Sequence, residues 1–151
     1  MPKFMKNINV ISRCTVAFRG DRMKDSDLSP YHHGYILTLC RAPGLSQERL
    51  AQEMCINKSN VTRHLAALEE NGYVERRRSE EDRRITLVYP TKKAYEILPR
   101  VRETVREWNA YLTEGMDAGE LELFAAITAR IAERAREYVN KDGEGKNEAD
   151  T

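Results

Sequence analysis

One set of polar side chains has the donors and the charges needed to bind a polyanion. These residues are Lys58, Ser59, Asn60, Thr62 and Arg63. Between and after them, Val61, Leu65 and Leu68 repeat at helical spacing, so an apolar stripe turns inward while the polar set points outward. Arginine can bind guanine through two hydrogen bonds, asparagine can do the same with adenine, and hydroxyls suit phosphates or base edges. The alternative is a helix face that is merely solvated.

A second set is basic and follows shortly afterwards, at Arg76, Arg77, Arg78, Arg83 and Arg84. Alternation along a strand sends neighbours to opposite faces, so not all of Arg76–Arg78 can face one ligand. Asp82 and Arg84 lie two positions apart near a predicted turn. There a carboxylate could hold the guanidinium in one rotamer and present it to the narrow minor groove of DNA. The alternative is a surface ion pair, worth about 0–1 kcal/mol and without a function.

The elements that position these two sets follow in a recognisable order. Ser46 is placed to cap one short helix and Asn57 to cap a second. Two strand-like runs, Tyr73-Val74 and Ile85–Tyr89, then flank a polar tip. Helix, tight connection, helix and hairpin in this order are typical of a winged helix-turn-helix, whose second helix fits the DNA major groove. We therefore expect the polar set to contact DNA, together with Ser46, Arg76, Arg78, Asp82, Arg83 and Arg84.

Two helices are predicted before this segment. An amphipathic pattern marks the first of them, with Met5, Ile8, Ile11, Thr15 and Phe18 as its stripe. A polar connection follows at 19–29. Ser29-Pro30 has a hydroxyl and a proline suited to a helix start, which predicts a second helix from about Tyr31 to Arg41.

Two more helices are predicted after it. Thr91 begins a long helix that reaches about Thr113, in which Pro99 should cause a kink or a local break. Asp117 and Glu120 form an arrangement close to a capping box and begin a last helix that reaches about Asn140. The predicted fold is mainly α with a small β-hairpin wing (α+β). It forms one domain over 1–140, with residues 30–91 as the winged helix-turn-helix lobe and residues 141–151 as a disordered tail.

Composition excludes several classes. The 151 residues have a formal net charge of +1, so the basic patch is local. No apolar run approaches the roughly 18 residues that a membrane span needs, and no signal-peptide pattern opens the chain. Three cysteines, Cys14, Cys40 and Cys55, lack the spacing of a disulfide framework or a zinc site, which favours a reduced cytoplasmic protein. No phosphate-cradling glycine loop or Ser/His/Asp set indicates an enzyme, and we expect no cofactor and no required metal.

The segments NKSNVTRHLAALEENGYVERR and EDRRITLVYPTKKA resemble the recognition helix and the wing of the multiple antibiotic resistance regulator (MarR) family. That family carries an Asp-x-Arg element in the wing, matched here by Asp82, Arg83 and Arg84. The resemblance implies that Arg84 enters the minor groove while Asp82 braces it. The family often has Leu-Thr, and a glycine three residues on, where this chain has Pro90-Thr91 and Ala94; Thr91 can still cap the helix.

The resemblance also implies a two-fold homodimer on a pseudo-palindromic DNA site. Residues 4–24 and 92–140 are then dimerisation helices, because their stripes exceed what a lone winged helix needs. The alternative is that these helices pack on each other in a monomer. The apolar residues expected at the interface are Ile8, Ile11, Leu121, Phe124, Ile127 and Ile131.

Relatives of this kind often bind small anionic aromatics or sense oxidants. A ligand pocket between the dimer helices and the lobe would draw on Arg13, Tyr31, His32, His33 and Tyr35, with Arg19 as a second cation. The alternative is that these are ordinary interface and surface groups.

The sequence thus predicts a dimeric, sequence-specific transcriptional repressor that is released by a small ligand. The alternatives are a winged-helix module that binds protein and a redox-sensing regulator that uses Cys14, although a thiol in an apolar helix pattern is usually inert. His64, on the predicted recognition helix, is expected to be structural or to contact a phosphate.

Overall fold

The computed structural model describes residues 3–147, with side chains as far as Val139. Its elements are α1 (Phe4–Arg22), α2 (His33–Arg41), β1 (Leu45–Ser46), α3 (Gln47–Met54), α4 (Lys58–Glu70), β2 (Val74–Arg78), β3 (Thr86–Pro90), α5 (Lys92–Leu112) and α6 (Ala118–Asn147). The prediction of a mainly helical winged helix-turn-helix fold is confirmed.

The sheet has one strand more than the sequence predicted. Its order is β1-β3-β2 and both pairs are antiparallel. The extra strand is only Leu45–Ser46, which pairs with Val88 and Leu87. Two residues are too few to produce an alternating pattern, so this strand could not be predicted from periodicity.

The core of the lobe lies where α4 meets α2, α3 and the sheet. Leu50, Val61, Leu65, Leu68 and Val88 are each 0% exposed. The three residues on α4 are the predicted stripe, and each fully buried side chain of this size stabilises the fold by roughly 1.5–3 kcal/mol. The turn from α4 into β2 passes through Gly72 at a φ of +78°, a conformation that suits glycine.

The start of α2 was predicted two residues too early. Ser29 forms a turn instead of a cap, in which its carbonyl accepts from the His32 N–H and its hydroxyl accepts from the Tyr31 N–H. The helix begins at His33, so Tyr31 precedes it. The first helix also extends further than predicted, to Arg22, and shortens the connection.

The two long helices differ from prediction in their interruptions. Helix α5 continues through Pro99, so the alternative of a local break is wrong and the kink stays a prediction. Leu98 and Val101 on either side are buried, and this packing offsets the hydrogen bond that proline removes. The capping box of α6 is confirmed by two reciprocal hydrogen bonds of 2.9 Å between Asp117 and Glu120.

Helix α6 runs to Asn147 instead of ending near Asn140. The rest of the predicted disordered tail, residues 148–151, lies outside the described residues.

An ionic cluster ties the α1–α2 connection to the start of the wing. The Tyr73 hydroxyl donates to the Asp27 carboxylate, and the Lys93 ammonium pairs with the same carboxylate. Lys93 also donates to the Asn71 carbonyl at 2.7 Å. The hydrogen bonds from Lys93 and Tyr73 lower the pKa of Asp27, while burial and Asp27 raise the pKa of Tyr73.

The lowered pKa of Asp27 makes a prediction about stability. A carboxylate with a depressed folded-state pKa contributes stability above its unfolded pKa, about 3.9, and loses it as pH falls through the folded pKa. We expect Asp27→Asn to lower the free energy of unfolding at about pH 7, and to lower it by less as the pH falls towards about 2.5. Urea titrations at both pH values measure the gap, which is the difference in free energy of unfolding between wild type and variant. Asp21→Asn, at an exposed site outside the cluster, is the control; a gap for Asp27→Asn that does not narrow in acid contradicts the assignment.

Candidate nucleic-acid interface

Helix α4 presents an N-terminus that is capped by a neutral side chain. Asn57 accepts a hydrogen bond from the Asn60 N–H at 2.8 Å, and Ser59 donates its hydroxyl to the same amide oxygen at 3.0 Å. The first turn holds no acidic residue. The positive end of the helix dipole therefore stays available to an anion.

The outer face of α4 carries the predicted polar set. Lys58, Ser59, Thr62 and Arg63 are exposed and Asn60 is half-buried. Arg63 donates to the Asn60 amide oxygen at 3.2 Å, which leaves the Asn60 NH2 group as a donor. The structure brings these five residues together on one surface, as the helical spacing predicted.

The wing tip holds its arginine in a fixed fork. Arg84 donates from Nε to Asp82 Oδ1 at 3.1 Å and from Nη2 to Asp82 Oδ2 at 3.0 Å, while its backbone N–H bonds to Oδ1 at 3.0 Å. The Arg84 side chain is 91% exposed and that of Asp82 only 34%. The hydrogen bonds from Arg84 lower the pKa of Asp82, and the same pairing raises the pKa of Arg84. This is the bracing geometry that the two-residue spacing indicated.

A cleft of about 280 Å³ joins the helices to the wing. Its lining residues are Ser46, Gln47, Glu48, Lys58, Thr62, Arg84, Ile85 and Thr86. Arg84 and Lys58 thus belong to one continuous surface, although they are far apart in the sequence.

Gln47 and Glu48 in this cleft were missed from the sequence. The Gln47 amide donates to the Thr62 hydroxyl at 3.3 Å, and Glu48 pairs with Lys58 at 3.0 Å. A signal was present, since both follow the Ser46 cap and so lie in the first turn of the helix beside α4. Both partners of the Glu48–Lys58 pair are exposed, so the pair is weak and Lys58 can exchange it for a phosphate.

Two predicted DNA contacts, Arg76 and Ser46, lie differently from the rest. Arg76 is held by Glu69 of α4, through 2.8 Å and 3.1 Å contacts with one carboxylate oxygen, and its side chain is 25% exposed. It ties the wing to the helix and does not join the exposed set. Ser46 lines the cleft, but its hydroxyl caps α3 by accepting from the Arg49 N–H at 3.0 Å. Arg78 and Arg83 are exposed, as predicted.

Comparison with known proteins agrees with this geometry. The MarR family model matches residues 28–86. The uncharacterized HTH-type transcriptional regulator YybA of Bacillus subtilis (strain 168) is 26% identical over 144 residues, which cover 93% of this chain and 96% of YybA. A crystal structure of MarR is 27% identical with a TM-score of 0.82, over 93% of this chain and 95% of that one. Residues 28–86 of this chain therefore match the MarR family, and the likeness to YybA and to MarR extends over nearly the whole chain.

The fold extends the likeness to a further solved structure. A putative MarR family transcriptional regulator from Listeria monocytogenes, crystallised with a 26mer DNA, superposes with a TM-score of 0.88 at 21% identity, over 96% of this chain and 97% of that one. The superposition covers the lobe and the long helices alike.

The structure places the five predicted ligand residues in different surroundings, and the ligand site stays a prediction. His32, His33 and Tyr35 are buried inside the lobe, whereas Tyr31 is 63% exposed in the turn before α2. Arg13 is exposed on α1. The sequence could not separate these residues because it placed the start of α2 too early.

The three cysteines differ in their exposure. Cys14 is exposed, not buried as its apolar helix pattern indicated, and Cys55 is exposed just beyond α3. Burial raises the pKa of the Cys40 thiol. Within residues 3–147, no group of three His, Cys, Asp or Glu side chains is arranged to hold a metal ion. Over the same residues, no helix has the length and apolar character to cross a membrane.

The cap of α4 makes a prediction that separates stability from binding. We expect Asn57→Ala to lower the free energy of unfolding by about 1 kcal/mol, because the Asn60 N–H loses its partner. Asn57→Asp should cost little, since aspartate caps equally well. Thermal and urea unfolding measure both. Ser12→Ala is the control because Ser12 is exposed on α1, away from this cap. An Asn57→Ala protein as stable as wild type contradicts the cap assignment.

Proposed function

We propose that this protein is a MarR-family, dimeric, sequence-specific DNA-binding regulator that represses transcription until a small ligand releases it. The observation that carries the proposal is the Asp82–Arg84 fork, which projects an exposed guanidinium from the same surface as the outer face of α4. A regulator that acts on DNA also fits the expectation of a cytoplasmic protein.

Each part of this surface suits a different part of a DNA duplex. The α4 N-terminus, Lys58 and Ser59 suit backbone phosphates, which fix the register of a helix in the major groove. Asn60 and Arg63 can read base edges. Arg84 suits the narrow minor groove, where the potential is most negative. The Listeria monocytogenes relative crystallised with DNA supports the assignment by its similar fold.

The dimer is supported by two helices, α1 and α6, that have no fully buried side chain among their described residues. Helix α1 has no buried residue, and every described side chain of α6 is at least partly exposed. Their apolar stripes are nonetheless long: Ile8, Ile11, Leu121, Phe124, Ile127 and Ile131 are all 37–50% exposed. Contiguous apolar surface of this kind marks an association site. A two-fold partner would cover it and would set two copies of α4 about one DNA turn apart.

Release by a ligand is supported by a cleft of about 180 Å³ between α1 and α5. Arg19 lines it beside Trp108 and Thr15, and burial lowers the pKa of Arg19. A half-buried guanidinium next to an indole ring suits a small aromatic anion. Such a ligand acts only if it binds one arrangement of the helices better than another.

Arg84 gives the main test of this function. We expect Arg84→Ala to weaken duplex binding by roughly 1–3 kcal/mol and to reduce the slope of log affinity against log salt by about 2, because the dimer loses one guanidinium charge from each wing. Arg63→Ala should weaken binding and also relax sequence preference. Fluorescence anisotropy with a duplex selected by wild-type protein from a random pool measures both.

Arg106→Ala is the matched control, since Arg106 is an exposed arginine on α5 whose partner, Glu103, lies in the same helix. If neither Arg84→Ala nor Arg63→Ala lost affinity, DNA binding through this surface would be wrong. If such a protein still bound other proteins, the alternative of a winged-helix module that binds protein would be favoured. Release of DNA by peroxide in wild type but not in Cys14→Ser would favour the redox alternative.

The dimer is tested on α6. We expect Ile127→Glu to convert the protein to a monomer in sedimentation velocity, because a buried carboxylate without a partner costs several kcal/mol. Ala129→Glu is the control, since Ala129 is exposed and lies two residues, or about 200° around the helix, from both Ile127 and Ile131. A monomeric wild type, or an Ile127→Glu protein that remains dimeric, contradicts this interface.

A further inference from the structure

Two of the three histidines of the chain contact each other inside the lobe. His32 Nε2 and His64 Nδ1 are 3.1 Å apart, and the rings are nearly perpendicular. The contact joins the residue before α2 to the middle of α4. Because each neutral imidazole has one donor and one acceptor nitrogen, one ring must donate to the other, and the proton positions of the two rings are coupled.

Burial decides the direction of this hydrogen bond. His32 is only 5% exposed, and its other nitrogen, Nδ1, is buried without a hydrogen-bond partner. A buried N–H without an acceptor is rarer and more costly than a buried lone pair without a donor. His32 therefore carries its proton on Nε2 and donates it to His64 Nδ1. It follows that neutral His64 carries its own proton on Nε2.

The Nε2 atom of His64 is directed away from the core. His64 is half-buried. Among the described residues, its Nε2 is not one of the buried polar atoms that lack a hydrogen-bond partner, so this atom is open to solvent. His64 follows Arg63 and lies one helical turn after Asn60, so its outer edge borders the polar face of α4. A neutral N–H with a fixed direction is thus placed at the rim of the candidate interface.

We propose that His64 donates its Nε2–H to a DNA phosphate oxygen and that His32 is a positioning residue that fixes this tautomer. The inference rests on the proposed DNA-binding function and adds a contact of a different kind. The lysine and arginine contacts bring charge, whereas this one is a neutral donor whose direction is set from inside the lobe.

The surroundings keep the pair neutral. His33 and Tyr35 from α2 and Arg63 from α4 lie around it, and Arg19 from α1 acts on His33. Burial and then His64 lower the pKa of His32 to about 4; burial and then Arg63 lower the pKa of His64. Below those pKa values His64 Nδ1 would take a proton and lose the hydrogen bond from His32.

The tautomer is tested on wild-type protein, so no variant needs to fold. With three histidines, the imidazole nitrogens can be assigned by ¹⁵N NMR. At neutral pH we expect His64 as the Nε2–H tautomer, with a scalar coupling across the hydrogen bond between His32 Nε2 and His64 Nδ1. Addition of a duplex selected from a random pool should shift the His64 Nε2–H signal and slow its exchange with water. The Nδ1–H tautomer at His64, or a signal unmoved by DNA, would overturn the proposal.

The contact with phosphate is tested by the salt dependence of affinity. His64→Phe keeps the ring but removes the donor, and we expect roughly a tenfold loss of affinity, as for one hydrogen bond to a charged acceptor. Because neutral His64 displaces no counterion, the salt slope should stay that of wild type, unlike the slope of Arg84→Ala. An unchanged affinity, or a slope reduced as in Arg84→Ala, would overturn the proposal.

His32 is tested by a conservative pair. His32→Phe removes the internal donor, so we expect the His64 tautomers to mix and the affinity for DNA to fall several-fold at neutral pH. His32→Gln retains an amide donor and should restore both affinity and the Nε2–H tautomer. If His32→Gln folded like wild type but did not restore the Nε2–H tautomer of His64, His32 would only fill space.

The failure of this inference can be told from failure of the proposed function. If wild-type protein bound no duplex and Arg84→Ala had no effect, the proposed function would fall and this inference with it. If Arg84→Ala lost affinity while His64→Phe did not, only the histidine contact would be wrong.

Discussion

The burial of one face of α4 is the constraint on which the rest depends. Val61, Leu65 and Leu68 are fully buried against the lobe, and this fixes the rotation of the helix about its own axis. A helix has only one orientation that buries a given stripe, so the polar residues between these positions must face outward. The cap at Asn57 fixes the N-terminal end of the same helix. Packing energy in the lobe therefore determines the direction of every polar group on the opposite face.

The wing solves a different problem, because an exposed arginine on a hairpin tip is ordinarily mobile. Three hydrogen bonds to Asp82 hold Arg84 in one arrangement while leaving its side chain almost wholly exposed. In water such a pair adds little stability. Its effect is to lower the entropy that the guanidinium would lose on binding. Arg76, by contrast, is paired with Glu69 and so ties β2 to α4. Two arginines in the wing thus have opposite uses, one structural and one exposed.

The sequence predicted what periodicity and caps encode, and missed what depends on contacts between distant segments. The stripe of α4, the caps at Ser46, Asn57 and Thr91, and the fork of Asp82 and Arg84 are all local, and the structure has them. Strand β1, the Glu69–Arg76 pair and the His32–His64 contact each depend on residues from different elements, and no local pattern encodes them. The dispersal of the predicted ligand residues has the same origin, since an error of two residues at the start of α2 changes which side chains face the core.

Helix α5 connects the lobe, which carries the candidate DNA interface, to the helices that would form a dimer. Its first half is anchored in the lobe by Ala94, Leu98 and Val101, and its second half meets α1 through the Trp108–Thr15 hydrogen bond of 2.7 Å and the stacking of Trp108 on Phe18. Because the helix continues through Pro99, a displacement at one end is transmitted to the other instead of being absorbed at a break. The α1–α5 cleft lies at the second half of this helix. A ligand there can alter the spacing of two α4 helices without touching either of them, provided it favours one position of α5 against α1.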